Sequence, residues 1–302
     1  MQVISLRNAR LHAEVLPSAA GGLARLDWIA DGPAQPVLRA LDIAPGAAPP
    51  TTSQLACFPL VPWSNRIGGG GFTFAGRHVA LSPNRRGEPC PIHGDGWQHP
   101  WTVQAQSPTG VSLCLDRRGG TPFSYHAQLR YVLVEAGLRV SLQVTNAGNT
   151  ALPFGLGLHP WFERSAGVTL RARARRAWSR GSGGLPLDEI ALPVDWDFSA
   201  ARGLPQDGVD NAFSGWDGKA EIEWPETSIR LGIRADMGYY ILYAPPGANF
   251  FCFEPVDHAI NAHNLVGGAA GNGLTVLAPG QSLQRQVTFN VSRAERQGGF
   301  PA

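Results

Sequence analysis

Histidine, arginine, carboxylate and tryptophan side chains gather in a few short segments of this 302-residue chain, and three of these segments could move protons. In CPIHGDGWQHPW, His93 stands between Ile92 and Gly94, with Trp97 and Trp101 close behind. A neutral imidazole gives or takes a proton near physiological pH, and indole faces suit the C–H faces of a sugar ring. A buried histidine packed beside core tryptophans is the plain alternative. In GLHPWF, His159 directly precedes Pro160 at the end of an apolar strand. The residue before a proline is extended, so its ring can face a cleft as a general acid. In NFFCFEPVDHAIN, Glu254 closes an aromatic strand before Pro255. Apolar surroundings raise a carboxyl pKa and improve it as a base; a strand-end glutamate pointing to water is the alternative. His258 and His263 follow in a loop, share no helix face, and are expected at the surface.

Other segments offer binding groups. Asn65 and Arg66 precede a run of glycines in LVPWSNRIGGGGFTFAGR. The rigid donor fork of arginine suits sugar hydroxyls or a carboxylate, or else loop carbonyls. Asp210, in VDNAFSGWDG, could bind sugar hydroxyls beside Phe213 and Trp216 or simply close an Asx turn. Arg85 and Arg86 could hold a phosphate, or form a solvated turn. His93, Asp95 and His99 match no zinc spacing, so no metal is expected. The four cysteines, Cys57, Cys90, Cys114 and Cys252, contain no C-x-x-C pair and read as reduced, mostly buried thiols. Lys219 is the only lysine, which leaves Schiff-base and pyridoxal chemistry a single possible anchor, and no cofactor is expected.

The elements that must position these groups have a period of two. Leu138, Val140, Leu142 and Val144 alternate with polar residues, as do Ile229, Leu231 and Ile233, and Val287, Phe289 and Val291. HAQLRYVLV joins the first of these rows through Glu135, Ala136 and Gly137, as in a β-hairpin. With 37 glycines and 25 prolines between short strands and no long amphipathic helix, the fold class is all-β, a sandwich or barrel, read as one domain over residues 1–302. Residues 179–208 read as long surface loops. A formal charge of +2 with scattered arginines lacks the footprint of a nucleic-acid binder. Neither a leader sequence nor a long uncharged apolar run is visible, so a cytoplasmic protein with no membrane partner is expected.

Taken in order, NRI…GGFTFAGR, IHG…W, GLHPWF, VDNAFSGW and FEPVDHAIN resemble the aldose 1-epimerase (galactose mutarotase-like) family over most of the chain. The resemblance implies a single β-supersandwich domain with an open cleft on one sheet, and interconversion of the α and β anomers of a free hexose by acid/base ring opening. It implies Glu254 as base, His159 as acid and His93 as an assistant at the ring oxygen or opening carbonyl. Arg66, Asn65, Asp210 and Trp97 would bind the sugar, the only partner implied. The third motif reads HPWF where characterised galactose mutarotases tend to have a tyrosine, which leaves the sugar open. A hexose-6-phosphate 1-epimerase and a non-catalytic carbohydrate-binding protein are the alternative functions. A glycoside hydrolase using Asp210 and Glu254 would leave the histidines unexplained.

Overall fold

The period-two segments build two large antiparallel sheets. In the computed structural model, which describes residues 1–293 apart from 45, 47 and 120, one sheet has nine strands. It runs from Arg202–Gly203 through Thr169–Ala172, Lys219–Trp224, Ile229–Ala235, Ser282–Arg293, Gly137–Asn146, Tyr125–Val134 and Gly110–Arg117 to Thr102–Ser107. Its inward rows meet in register: Leu129 faces Leu142, Val140 faces Val287 and Leu138 faces Phe289. Their intervening neighbours face water, which is the alternation expected of a half-buried antiparallel sheet. The expected hairpin is present, turning at Glu135 and Ala136 between Tyr125–Val134 and Gly137–Asn146.

The second sheet has eleven strands. Ten lie on one path, which starts at Ile4–Arg7, Leu11–Leu16, Gly22–Trp28 and Cys57–Leu60, continues through Gly157–Glu163, Phe250–Val256, Tyr239–Ala244 and Val209–Ser214, and ends at Arg176–Arg180 and Pro186–Ala191; the short strand Gln35–Pro36 pairs with Gly22–Trp28 off that path. Its central strands do not alternate, because both faces are covered: Leu158, Phe162, Phe251 and Phe253 enter the core between the sheets, while Phe58, Leu60, Ile241 and Val256 pack on the opposite face beneath the loops. The two sheets pack face to face as an all-β sandwich, the fold class expected from the sequence. No described helix is long and apolar enough to cross a membrane.

Residues 179–208 are not merely loops. Arg176–Arg180 and Pro186–Ala191 pair as a hairpin at the sheet edge. An edge strand with most of its residues exposed shows no apolar row, so its periodicity is silent.

Phe289 is fully buried. Phe289→Ala is expected to cost about 3–5 kcal/mol in chemical denaturation, whereas Gln284→Ala, on the exposed row of the same strand, should stay within about 0.5 kcal/mol.

Candidate active site

Strand Gly157–Glu163 lies in the middle of the larger sheet, between Cys57–Leu60 and Phe250–Val256. Its ladder to the latter pairs Gly157 with Val256 and then resumes at Trp161 and Cys252. His159, Pro160, Glu254 and Pro255 fall in the interval. Proline has no N–H to give to a ladder and is normally kept to sheet edges. Here the strand does not end at proline, as expected from the sequence, but runs through it. On the far flanks the pairing is regular, His159 opposite Phe58 and Ile241 opposite Glu254, so the backbone around the interval is fixed. Side chains alternate across a strand. With Leu158 and Phe253 in the core, His159 and Glu254 both emerge on the other face and line a cleft of about 1040 Å³.

There His159 Nε2 stands 3.4 Å from Glu254 Oε1. The carboxyl is 2% exposed and the histidine 8%. Phe58 stacks on the imidazole at 4.6 Å and Trp161 at 5.3 Å, which holds the ring in plane. Burial dominates both titrations. It drives the Glu254 carboxyl well above the usual carboxylate range, with Asp210 pushing the same way and Arg66 opposing. Burial also pushes His159 down to about 3. Each shift favours the neutral form, so the pair holds a single proton across a wide pH range. Glu254 Oε2 has no hydrogen-bond partner within the described residues and is available to a hydroxyl.

His93 completes the group, its ring edge-on to His159 with centroids 5.3 Å apart. Its position depends on the loop that carries Asn65. The His93 amide donates to the Asn65 carbonyl at 3.0 Å, and the Asn65 amide donates to His93 Nδ1 at 3.1 Å. Since Nδ1 accepts, the neutral ring carries its proton on Nε2. Burial, with help from His159, Arg66 and Arg85, holds His93 well below the usual histidine value, so it remains a neutral N–H donor. Gly94 follows in the left-handed region, at φ +65°, where a Cβ would lie 2.2 Å from the Val61 carbonyl oxygen. No other residue lets the chain turn so close behind His93.

His258 and His263 are not surface residues. They are 1% and 6% exposed, because residues 257–264 fold beneath the Asn65 loop. The Ser64 amide donates to His258 Nε2 at 2.9 Å, and His258 Nδ1 lies 2.8 Å from the Ala259 carbonyl oxygen. Asn261 accepts from the Gly68 amide, and Asn264 donates to the Gly68 and Gly71 carbonyls. His263 packs on Phe72 with ring centroids 4.4 Å apart. Two successive amides, those of Ser64 and Asn65, thus each end on an imidazole nitrogen, and His258 fixes the loop that fixes His93.

The expected binding residues all line the same cleft. Arg66 is held by Glu88 in a fork, Nε to Oε2 at 2.7 Å and Nη2 to Oε1 at 3.1 Å. Asp210 is paired with Arg180 at 2.8 Å. The Trp97 indole N–H reaches the Gly94 carbonyl at 3.0 Å, which sets the ring beside Phe58. The Asn65 side-chain oxygen accepts from the Arg66 amide at 2.9 Å, so this residue shapes the loop directly. Glu88, Arg180, Phe58 and Trp161 escaped the sequence reading; the stacked arrangement of Phe58 and Trp161 could have been inferred only from strand register. Asp95 is turned away to Arg117 and Tyr125, and so takes no part in a set with His93.

Ligand atoms of His159, Cys252 and Glu254 lie within 4.8 Å of one another, the group of described residues that could hold a metal ion. Burial pushes the Cys252 thiol well above its ordinary value, so it stays protonated. What the cleft offers chemically is a buried proton donor and acceptor side by side, a second imidazole N–H, aromatic walls and paired charges at the rim.

The aldose 1-epimerase family profile matches residues 3–290. The uncharacterized protein YphB of Escherichia coli K12 is 32% identical over 301 residues, covering 96% of this chain and 99% of its own. A crystal structure of a candidate aldose 1-epimerase from Escherichia coli K12 superposes with a TM-score of 0.87 at 29% identity, over 97% of this chain and 99% of the other. A galactose mutarotase-like protein from Clostridium acetobutylicum shares the fold, with a TM-score of 0.81 at 19% identity over 96% and 95% of the two chains. By sequence and by architecture, this chain belongs to the aldose 1-epimerase family.

Proposed function

We propose that the protein is a mutarotase that interconverts the α and β anomers of a hexose. The observation that carries this reading is the pairing of His159 and Glu254 at 3.4 Å in the cleft. Ring opening needs a proton taken from the O1 hydroxyl and a proton given to the ring oxygen, and both oxygens are bonded to C1. An acid and a base separated by a hydrogen-bond length can serve two such neighbouring atoms.

Glu254 takes the O1 proton as the C1–O1 bond becomes a carbonyl. The C1–O5 bond breaks, and O5 takes the proton from His159. The open aldehyde turns about C1–C2, O5 attacks the other face and returns its proton to His159, and O1 recovers its proton from Glu254. Opening converts a carboxylate and an imidazolium into a carboxyl and an imidazole, the charge-free state that burial favours. The Nε2–H of His93 supports the ring oxygen or the forming carbonyl. Arg66 and Asp210, held by Glu88 and Arg180, present fixed donors and acceptors to the sugar hydroxyls. Trp97 supplies an apolar face.

Polarimetry of freshly dissolved α-aldoses tests this directly. The protein should speed anomer equilibration, and Glu254→Gln or His159→Asn should each lower kcat by about 100- to 10,000-fold. Retention of most of the activity by both variants would refute these roles. Because the active pair carries one proton, kcat/KM should be level through mildly acidic pH and fall on the alkaline side as Glu254, with its raised pKa, gives that proton up. A rate that climbs steadily through neutral pH would instead indicate a simple unpaired base.

Stability carries the same signature. The native Glu254 carboxyl keeps its proton to higher pH than the ordinary 4.5, so the unfolded chain binds fewer protons and stability falls as pH rises through the native pKa. Glu254→Gln should therefore melt above wild type at about pH 8, with the difference disappearing near pH 4.

A further inference from the structure

The acid/base pair has a third neighbour that the proposed reaction does not use. Cys252 lies two residues before Glu254 in strand Phe250–Val256, so the two side chains leave the same face of the sheet. His159 stands beside them on the adjacent strand Gly157–Glu163. The Cys252 thiol is free and 0% exposed, beneath the cleft that His159 and Glu254 line. Binding capacity is left over in this group, because His159 Nδ1 and Glu254 Oε2 are buried with no hydrogen-bond partner among the described residues. One ligand atom from each of the three residues lies within 4.8 Å of the other two.

A nitrogen, a sulfur and a carboxylate oxygen suit a borderline-soft divalent ion such as zinc, whereas magnesium and calcium take oxygen alone. The spacing agrees. Two ligands about 2.1 Å from zinc at the tetrahedral angle stand about 3.4 Å apart, and His159 Nε2 and Glu254 Oε1 are separated by 3.4 Å. A thiolate about 2.3 Å from the same ion would stand about 3.6 Å from each, so the sulfur has at most about 1.2 Å to close from 4.8 Å. Charge balance also favours the exchange. With one proton on the His159–Glu254 pair and one on the thiol, the buried group is neutral. Binding releases both protons and leaves a carboxylate, a thiolate and a neutral imidazole around a dication, which is again neutral, so no uncompensated charge is buried. Three protein ligands leave the fourth tetrahedral position open toward the cleft.

We propose that His159, Cys252 and Glu254 form a site for zinc, and that an ion held there silences the cleft by occupying both proton-transfer groups. The silencing rests on the mutarotase reading above; the metal site itself does not. No motif spacing announces the site, since its ligands come from two strands and meet only through their register.

Cobalt(II) is the probe, because a thiolate bonded to it produces a charge-transfer band. The full chain, stripped of metal and kept reduced without a chelating thiol, should take up one equivalent of cobalt with that band, and zinc should displace it. Zinc binding to the stripped protein should release two protons per ion. Cys252→Ser should lose the band and bind zinc about 100-fold or more weakly, while Cys90→Ser, which removes the partly exposed thiol, should keep both. In anomer equilibration zinc should inhibit wild type, with a chelator restoring the rate, and Cys252→Ser, active without metal, should resist the same zinc. Cys252→Ala gives the same readings without burying a hydroxyl. No band in wild type, or a band that survives both Cys252 substitutions, overturns the site. If no sugar equilibrates faster, the mutarotase reading fails while the cobalt spectrum still decides the site. Sugars turned over at full rate by zinc-loaded protein would overturn the silencing.

Discussion

Burying a carboxyl and an imidazole together in a β-sheet is the condition to which the rest of this structure answers. Neither group can easily hold a charge there, since a desolvated ion costs far more than a desolvated neutral group. The pair consequently shares one proton, and a shared proton is what ring opening and closing of a sugar requires. The placement has a structural cost. Pro160 and Pro255 open a gap in the ladder of the sheet's central strands, and hydrogen bonding resumes only at Trp161 and Cys252. The flanking strands and a core of large aromatic side chains, including Phe162, Phe251 and Phe253, hold that gap in a fixed shape.

Position is propagated outward by hydrogen bonds rather than by bulk packing. His159 and Glu254 are set by register on adjacent strands, which needs no special contact. His93 lies outside the sheet and depends on the Asn65 loop, which depends in turn on His258, Asn261 and Asn264 from beneath. The same His93 segment closes the loop that bears Arg85, Arg86 and Glu88. The His93 ring, the Asn65 loop and the loop of residues 84–94 therefore share one scaffold beside the His159–Glu254 pair.

Much of this was legible in the chain. The rows at 138–144, 229–233 and 287–291 are half-buried strands because one face meets water, the condition under which period two becomes visible. His159 and Glu254 stood out because a titratable group beside proline within an apolar run is out of place. That same rule misled about where the strands end, since proline here interrupts a ladder without stopping the strand. His258 and His263 were illegible because their burial is imposed by a loop distant in sequence, and no local pattern records that. The partners Glu88 and Arg180 were hidden for a related reason: an ion pair is a property of two segments, and each segment alone looks like a solvated surface.

In the proposed reaction this cleft moves protons on and off the anomeric centre of a sugar. Magnetisation exchange between the α- and β-anomer signals of an equilibrated aldose tests it most directly, because it reads both directions of the reaction at once and needs no freshly dissolved anomer. With glucose, glucose 6-phosphate and glucuronate each present in excess, catalytic amounts of wild-type protein should produce exchange between the two anomeric resonances of at least one sugar, and Glu254→Gln should remove it. Exchange no faster than in buffer for every sugar would contradict the account.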